Sequence, residues 1–298
     1  MPDLAPRLFD RSLLRRRLAR ATAGDYPGFL VDRAAEELAE RLGAVRRDFP
    51  VGLDVGTPTG AARDALAAHP GIGRVLRCAP VSVAGADLVG DEEAPPFGLG
   101  SIDLVVSLLA LQATNDLPGA LAQIRRILRP DGLLLACLLG GETLRELRVA
   151  LAEAESLEEG GASPRVAPFA DVKAMGGLLQ RAGFALPVVD VDRAVVRYAN
   201  PLGLLADLRA MGLANALVER RRTPLRRATL MRAMAVYADR FSDPDGRVRA
   251  TFDLVWLSGW APHESQQKPL KPGSARARLA DALGVPELGP AIPRGERP

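Results

Sequence analysis

Between residues 51 and 139 the chain alternates short apolar runs with amphipathic stretches, and this alternation constrains its fold more than any other feature. The apolar runs at 51–55, 74–79, 102–108 and 133–139 have the length and composition of buried strands. The stretches at 60–68 and 117–128 have apolar residues at helical spacing. Such regular alternation predicts an α/β fold with a doubly wound, mainly parallel sheet and helices on both faces.

Sheets of this kind bind ligands outside the carboxyl ends of their strands. The segments that follow these ends are "GTPTG" (56–60), "CAPVS" (78–82), "GDEE" (90–93) and "SLLALQATND" (107–116). We therefore expect all four segments to lie along one edge of the sheet and to form a ligand site there.

The pattern changes after residue 141, and four sections are predicted. They are a helical N-terminal segment (1–45), the sheet core (46–141), C-terminal helices with completing strands (142–262) and a polar, partly disordered tail (263–298). Within the third section, helical spacing predicts helices over 142–159, 170–184, 201–217 and 223–241, and alternation predicts a strand over 186–198.

Composition excludes several classes of protein. The longest apolar runs are far shorter than the roughly 20 residues of a membrane span, so no integral membrane segment is expected. The net charge of +3 is small for 298 residues, and no nucleic-acid partner is expected. Cys78 and Cys137 lie in apolar runs and are predicted to be buried free thiols, which is typical of a reducing cytoplasm. No C-x-x-C pair or His/Cys cluster predicts a metal site.

Four further segments each allow two interpretations. The basic, amphipathic "RSLLRRRLARA" (11–21) is similar to a transit peptide, but a solvated helix is favoured because no cleavage-like break follows it. The arginine run "ERRRTPLRR" (219–227) is either a solvated helix end or a docking patch for an acidic partner. The loop "GGASPRVAPF" (160–169) is either a lid or a partner-binding loop. His263 and Glu264 are favoured as a structural pair over a catalytic one.

The core resembles class I S-adenosylmethionine (AdoMet) methyltransferases. In that family an acidic residue and a glycine loop follow the first strand, an acid ends the second strand, and another acid follows the third. The resemblance implies an AdoMet site, although it identifies no catalytic base. The residues it assigns to the cofactor are Asp54, Gly56, Thr57, Gly60, Asp91, Glu92 and Ser107.

At a finer level the chain resembles the family of the complex I assembly factor described as an arginine hydroxylase. The resemblance runs from about residue 9 to 275 and includes "GGETLRELR", "GGASPRVAPF" and "HESQQKP", which lie outside the general AdoMet core. It implies that the chain uses AdoMet binding to hydroxylate or methylate an arginine of a complex I subunit. The implied location is the bacterial cytoplasm, peripheral to the inner membrane during assembly. The malonyl-carrier-protein O-methyltransferases are also similar, more in the first half than in the second.

Three positions depart from the family pattern, all of them at the predicted ligand edge. Pro58 replaces the central glycine of the first loop, Ala79 stands where the family has the aspartate of the second strand, and Gln112-Ala113 replaces His-Trp. Proline fixes φ and removes an N–H group that would face the cofactor. These departures favour a second hypothesis, in which the fold is kept as an assembly scaffold without cofactor binding. A third hypothesis is an O-methyltransferase acting on a carrier protein or a small molecule.

Overall fold

The computed structural model describes residues 7–267. Residues 7–263 belong to one compact unit. Most of the predicted tail lies outside the described residues, and the division into four sections stays a prediction.

The order of helices and strands follows the predicted alternation closely. The eight helices of the described residues are α1 (Arg11–Thr22), α2 (Phe29–Gly43), α3 (Ala61–Ala68), α4 (Leu117–Ile127), α5 (Arg145–Glu159), α6 (Val172–Arg181), α7 (Pro201–Ala210) and α8 (Arg227–Phe241). The seven strands are β1 (Phe49–Val55), β2 (Ile72–Ala79), β3 (Leu88–Val89), β4 (Ile102–Leu108), β5 (Leu128–Gly140), β6 (Ala185–Tyr198) and β7 (Val248–Trp260).

All seven strands form one sheet in the order β3-β2-β1-β4-β5-β7-β6. Strands β1 to β5 run parallel, and β7 pairs antiparallel with both β5 and β6. The prediction of a doubly wound, mainly parallel sheet is therefore confirmed. The strand order reverses between β1 and β4, so their carboxyl ends flank the crevice in which such sheets bind ligands.

Helices bury both faces of this sheet, because successive residues of a strand point to opposite sides. Leu104 and Val106 of β4 belong to the core under α2, α5 and α8, while Val105 belongs to the core under α4 and α6. Both cysteines are buried and free, as predicted. No helix within residues 7–267 combines the length and the apolar character that a bilayer span requires.

One predicted helix, over 201–217, was wrong beyond residue 210. Helix α7 ends at Ala210, and Gly212 has a left-handed φ of +76°. A Cβ at Gly212 would lie 3.2 Å from the backbone of Arg17, so the turn lies directly against α1. The following irregular segment, 211–226, forms an antiparallel bridge between Leu217 and Phe9. This bridge holds the start of α1 near the ligand edge.

The segment 129–132, Arg-Pro-Asp-Gly, forms an irregular beginning of β5. The register between β4 and β5 shifts between Ile102 and Leu104, and Asp131 has a φ of +66°. The Pro-Asp-Gly sequence therefore bends the chain without separating α4 from β5 by a loop.

Candidate ligand site at the carboxyl edge of the sheet

The four predicted segments contribute to one cavity of about 70 Å³, which we call the edge cavity. Its lining includes Gly56 and Pro58 after β1, Pro80 after β2, Glu92 after β3, and Leu109, Ala110, Gln112 and Ala113 after β4. The opposite wall comes from α1, Tyr26 and residues 211–213. The sheet topology thus brings the four segments together as predicted, but α1 covers them.

Asp54 lies beneath the first loop and has no exposed surface. It is paired across the sheet with Arg77 of β2, which is itself 2% exposed, and Arg77 Nε lies 3.4 Å from Asp54 Oδ2. Burial raises the pKa of Asp54 to about 7, although Thr57 and Arg77 both favour its ionised form. Asp54 is therefore an enclosed partner of Arg77 and does not line the edge cavity.

Arg77 also holds the loop above it. Its guanidinium donates to the carbonyl oxygens of Thr57 at 3.1 Å, Pro58 at 3.4 Å and Ala84 at 2.8 Å. The Thr57 hydroxyl accepts a hydrogen bond from the backbone N–H of Leu108 at 3.0 Å, which ties the loop to the end of β4. These contacts of Arg77 were not predicted. The available signal was an arginine within the apolar run "RVLRCA", because a charged side chain in a buried strand requires a partner.

Gly56 occupies a position that only glycine fits. Its φ is +78°, and a Cβ there would lie 2.8 Å from both Ala110 Cβ and Glu92 Cγ. Gly60, by contrast, precedes α3 with a φ of −76° and has room for a side chain. The packing of three ligand-edge segments therefore depends on Gly56 and not on Gly60.

Replacing Gly56 with alanine is expected to lower the free energy of unfolding by about 2–3 kcal/mol, from backbone strain and the enforced separation of the two loops. Gly161→Ala is the control, because nothing lies within 4 Å of a Cβ there. That change should stay within about 0.5 kcal/mol in urea unfolding. Equal stability of the two variants would contradict the close packing at Gly56.

The acidic loop Asp91–Glu93 is engaged by arginines of α1. Arg11 Nη2 donates to Asp91 at 2.7 Å and to Glu92 at 2.5 Å, and Arg11 Nη1 donates to the carbonyl oxygen of Ala113 at 3.1 Å. Arg15 forms a second ion pair with Asp91. The Glu92 side chain is only 7% exposed. Burial raises the pKa of Glu92, and Arg11 opposes that rise.

The segment after β4 carries the remaining polar groups of the site. Leu109 has a φ of +52°, a strained conformation for a leucine. Gln112 donates from Nε2 to the Leu109 carbonyl at 2.7 Å, while its buried Oε1 has no partner among the described residues. Ser107 is fully buried, and its hydroxyl likewise lacks a partner there.

Of the residues assigned to a cofactor by resemblance, Gly56 and Glu92 line the edge cavity, and the other five do not. Asp54, Thr57 and Ser107 lie beneath the surface, Gly60 precedes α3 as its N-cap, and Asp91 lies in an outer cleft with Arg11 and Arg15. Their assignment to AdoMet stays a prediction. The residues that sequence reasoning missed are those of α1 and 211–213, because only long-range contacts place them at this edge.

The structure also gives positions to the loop 160–169, the arginine run 219–227 and His263, for each of which the sequence allowed two interpretations. Residues 160–169 are irregular and are held by Glu155, which accepts hydrogen bonds from Ser163 and Arg165. In the arginine run, Arg220 pairs with Asp10 and Arg221 with Glu159, while Arg222 is exposed. His263 is exposed and follows β7. Within residues 7–267 no group of three or more His, Cys, Asp or Glu side chains is placed to hold a metal ion.

Comparison with known proteins identifies the family. The chain is 37% identical over 297 residues to the mitochondrial arginine-hydroxylase NDUFAF5 of Danio rerio, covering 94% of this chain and 91% of that protein. The human protein of the same name is 36% identical over 296 residues, covering 95% and 85%. The chain belongs to the NDUFAF5 arginine-hydroxylase family. The resemblance predicted from the motifs is thus confirmed.

The wider relationship is to methyltransferases. Residues 53–136 match the family described as a methyltransferase domain. The malonyl-[acyl-carrier protein] O-methyltransferase of Laribacter hongkongensis is 35% identical over 291 residues, covering 89% of this chain and 94% of that protein. Its similarity therefore extends well beyond the first half. The NDUFAF5 family member described here is therefore a methyltransferase-like protein.

Solved structures support the fold alone. The YcgJ protein of Bacillus subtilis has a TM-score of 0.51 and 14% identity, covering 78% of this chain and 99% of that one. The BH2331 protein of Bacillus halodurans has a TM-score of 0.50 and 15% identity, covering 76% and 98%. Together with the family match, they confirm the predicted class I methyltransferase-like fold.

The edge cavity does not accommodate AdoMet as it is arranged. Its volume of about 70 Å³ is far below the roughly 300–1,000 Å³ of ordinary ligand sites. Arg11 already engages Asp91 and Glu92, and Ala79 offers no carboxylate at the end of β2. We therefore derive no catalytic step through this cofactor.

Proposed function

We propose that this NDUFAF5 family member recognises and modifies an arginine side chain of a protein partner during assembly of respiratory complex I. The single observation that carries the proposal is the acidic loop, which holds the Arg11 guanidinium at the ligand edge. Two carboxylates that converge on one guanidinium nitrogen form charge-assisted hydrogen bonds, which favour an arginine over a neutral side chain. The names of the relatives, which are arginine hydroxylases, support the same substrate class.

For the cofactor, we propose that AdoMet binds weakly and only after Arg11 leaves the acidic loop. The protein would act where the partner subunit is assembled, in the bacterial cytoplasm and against the inner membrane. Mass spectrometry of the partner protein distinguishes the two modifications, because an added oxygen and an added methyl group change the mass of the arginine by different amounts. A malonyl-carrier-protein substrate is tested in parallel, because a relative with that name is equally extensive in its similarity.

A second candidate function is an assembly scaffold that has lost cofactor binding. The observation that favours it is the small edge cavity, which Pro58 and α1 narrow on two sides. The two functions differ in a genetic test. If the protein is a scaffold, Glu92→Gln should still support complex I assembly in a deletion strain, whereas an arginine-modifying protein should lose both assembly and modification.

Calorimetric titration with AdoMet tests the cofactor directly. Pro58→Gly should restore space and Ala79→Asp should restore a charge-assisted hydrogen bond, which is worth on the order of 1.5–3 kcal/mol or roughly tenfold or more in affinity. Pro164→Gly, in an exposed loop position, is the matched control. No heat at millimolar AdoMet with all folded variants would reject cofactor binding. Unchanged affinity in Pro58→Gly and Ala79→Asp would show that the site lies elsewhere.

A further inference from the structure

A second cavity lies beside the edge cavity and is larger. We call it the apolar cavity; its volume is about 300 Å³, within the range of small-molecule sites. Leu14, Gln112, Ala113 and Leu213 line both cavities. Its other walls come from α5, α7, α8 and the irregular segments 160–169 and 211–226. The proposed modification does not use this space.

The walls of the apolar cavity are mostly hydrocarbon. The lining includes Leu139, Leu147, Leu151, Phe169, Leu205 and Leu208. Arg165 also lines it, but its Nε lies 2.8 Å from Oε1 of the buried Glu155, so this charge is neutralised. The space holds roughly ten groups of the size of a water molecule. An occupant of the interior is therefore aliphatic and uncharged.

The polar side chains of the walls favour a hydrocarbon chain over a peptide. Asn215 donates to the Pro164 carbonyl at 2.7 Å and accepts from the Leu217 N–H at 3.0 Å, so its amide is already satisfied. Gln112 Oε1 has no hydrogen-bond partner within residues 7–267, and it lies at the end that adjoins the edge cavity. A peptide backbone entering the cavity would bury N–H and C=O groups that find few partners, whereas an alkyl chain needs none.

The mouth of the apolar cavity is basic. Arg209 and Ala214 line the apolar cavity and also an adjoining cleft, whose further residues include Arg17, Arg20 and Asp25. Arg209 and Arg20 are exposed, and neither forms an ion pair within residues 7–267. Burial lowers the pKa of Arg17, and the neighbouring Arg220 and Arg20 lower it further. The cleft carries three arginines, Arg17, Arg20 and Arg209, against the one carboxylate of Asp25, so its net charge is positive.

We propose that the apolar cavity and this cleft together bind an amphipathic anion, with an aliphatic chain of roughly ten carbons in the cavity and a carboxylate or phosphate group at Arg209. The free end of the chain lies against Gln112, next to the edge cavity. The site goes beyond the arginine-modifying function and does not depend on it. A fatty carboxylate and an alkyl phosphate share the required chemistry.

The test is calorimetric titration of the full chain, without AdoMet, with decanoate, decyl phosphate, decanol and butanoate below micelle-forming concentrations. One saturable site is expected for both decyl anions, with decanol about tenfold weaker and butanoate not bound, because charge and chain both contribute. Comparing decanoate with decyl phosphate distinguishes the two sources of the anion.

Two variants separate the parts of the site. Arg209→Gln should weaken decanoate about tenfold and leave decanol unchanged, because it removes only the charge. Ala167→Phe, which fills the cavity, should abolish both. The controls are Arg74→Gln and Ala162→Phe, at exposed positions outside the cavity. Melting curves verify that each variant is folded.

Three outcomes would overturn the proposal. They are the absence of decanoate and decyl phosphate binding, binding that Ala167→Phe leaves intact, and binding of an acidic, leucine-rich peptide in the place of the decyl anions. Equal affinity for decanoate and decanol, unaffected by Arg209→Gln, would overturn the assignment of the anion to Arg209.

Discussion

Replacing Arg77 with methionine is expected to lower the free energy of unfolding by about 3–5 kcal/mol, because it leaves one partner of a buried ion pair uncompensated. The side chain of Asp54 would remain fully buried without the guanidinium that lies 3.4 Å away. The carbonyl oxygens of Thr57, Pro58 and Ala84 would lose their donor as well. Urea unfolding with circular dichroism measures the loss.

The pH dependence identifies Asp54 as the cause. Burial already raises the pKa of Asp54 to about 7 in the folded protein, above its ordinary value of 3.8. A carboxyl with a raised pKa holds its proton more tightly when folded, so stability falls as pH rises from about 4 towards 7. Without Arg77 the pKa rises further, and the decline continues above pH 7. The deficit of Arg77→Met should therefore be larger at pH 9 than at pH 6.

The double variant Asp54→Leu/Arg77→Met provides the control. Removing both charges should recover a large part of the lost stability, since apolar replacements of buried ion pairs are often tolerated. Arg77→Lys keeps the charge but not the planar fork, and should fall between the wild type and Arg77→Met. A double variant as unstable as the single one would show that the loop hydrogen bonds, and not the ion pair, carry the stability.

Replacing Arg11 with methionine is expected to release α1 from the ligand edge and to lower the free energy of unfolding by about 2–3 kcal/mol. The estimate is below the full value for a buried pair because Asp91 is 35% exposed and keeps Arg15 as a partner. Glu92, at 7% exposed, would lose its guanidinium. Amide hydrogen exchange should show faster exchange in α1 and in residues 90–93, while the core strands stay protected.

Arg16→Met is the matched control on the same helix, because Arg16 is exposed and forms no ion pair within residues 7–267. It should change stability by no more than about 0.5 kcal/mol. The deficit of Arg11→Met should shrink on acidification, since burial raises the pKa of Glu92 and a neutral Glu92 needs no cation. Unaltered exchange in α1 would contradict the role of Arg11 in holding the helix at this edge.

The fold and the family were predictable because the signals for them are local. Strands 51–55 and 102–108 follow from continuous apolar runs, and α4 follows from apolar spacing after the Asp116 cap, whose side chain accepts from the Gly119 N–H. The C-terminal end of α7 was not predictable in the same way. Apolar spacing continues to residue 217, but the helix has already ended before Gly212, where the backbone of α1 packs closely against the turn.

The candidate site was predictable in its position and not in its contacts. The topology of parallel strands places "GTPTG", "GDEE" and "SLLALQATND" at one edge of the sheet, independently of how the rest of the chain packs. The ion pair of Arg11 with Asp91 joins residues 80 positions apart, and no periodicity reports such a contact. The pairing of Asp54 with Arg77 depends in turn on the register of β1 against β2.

The sequence by itself determined the doubly wound sheet, the family and the edge of the sheet at which the four loop segments meet, because hydrophobic periodicity and motif order are properties of neighbouring residues. The tertiary structure decided what that edge presents to a ligand. Helix α1 and the 211–226 segment meet over it, the arginines of α1 engage the acidic loop, and the larger apolar cavity lies alongside. Those features come from packing between distant segments, and only the assembled chain defines them.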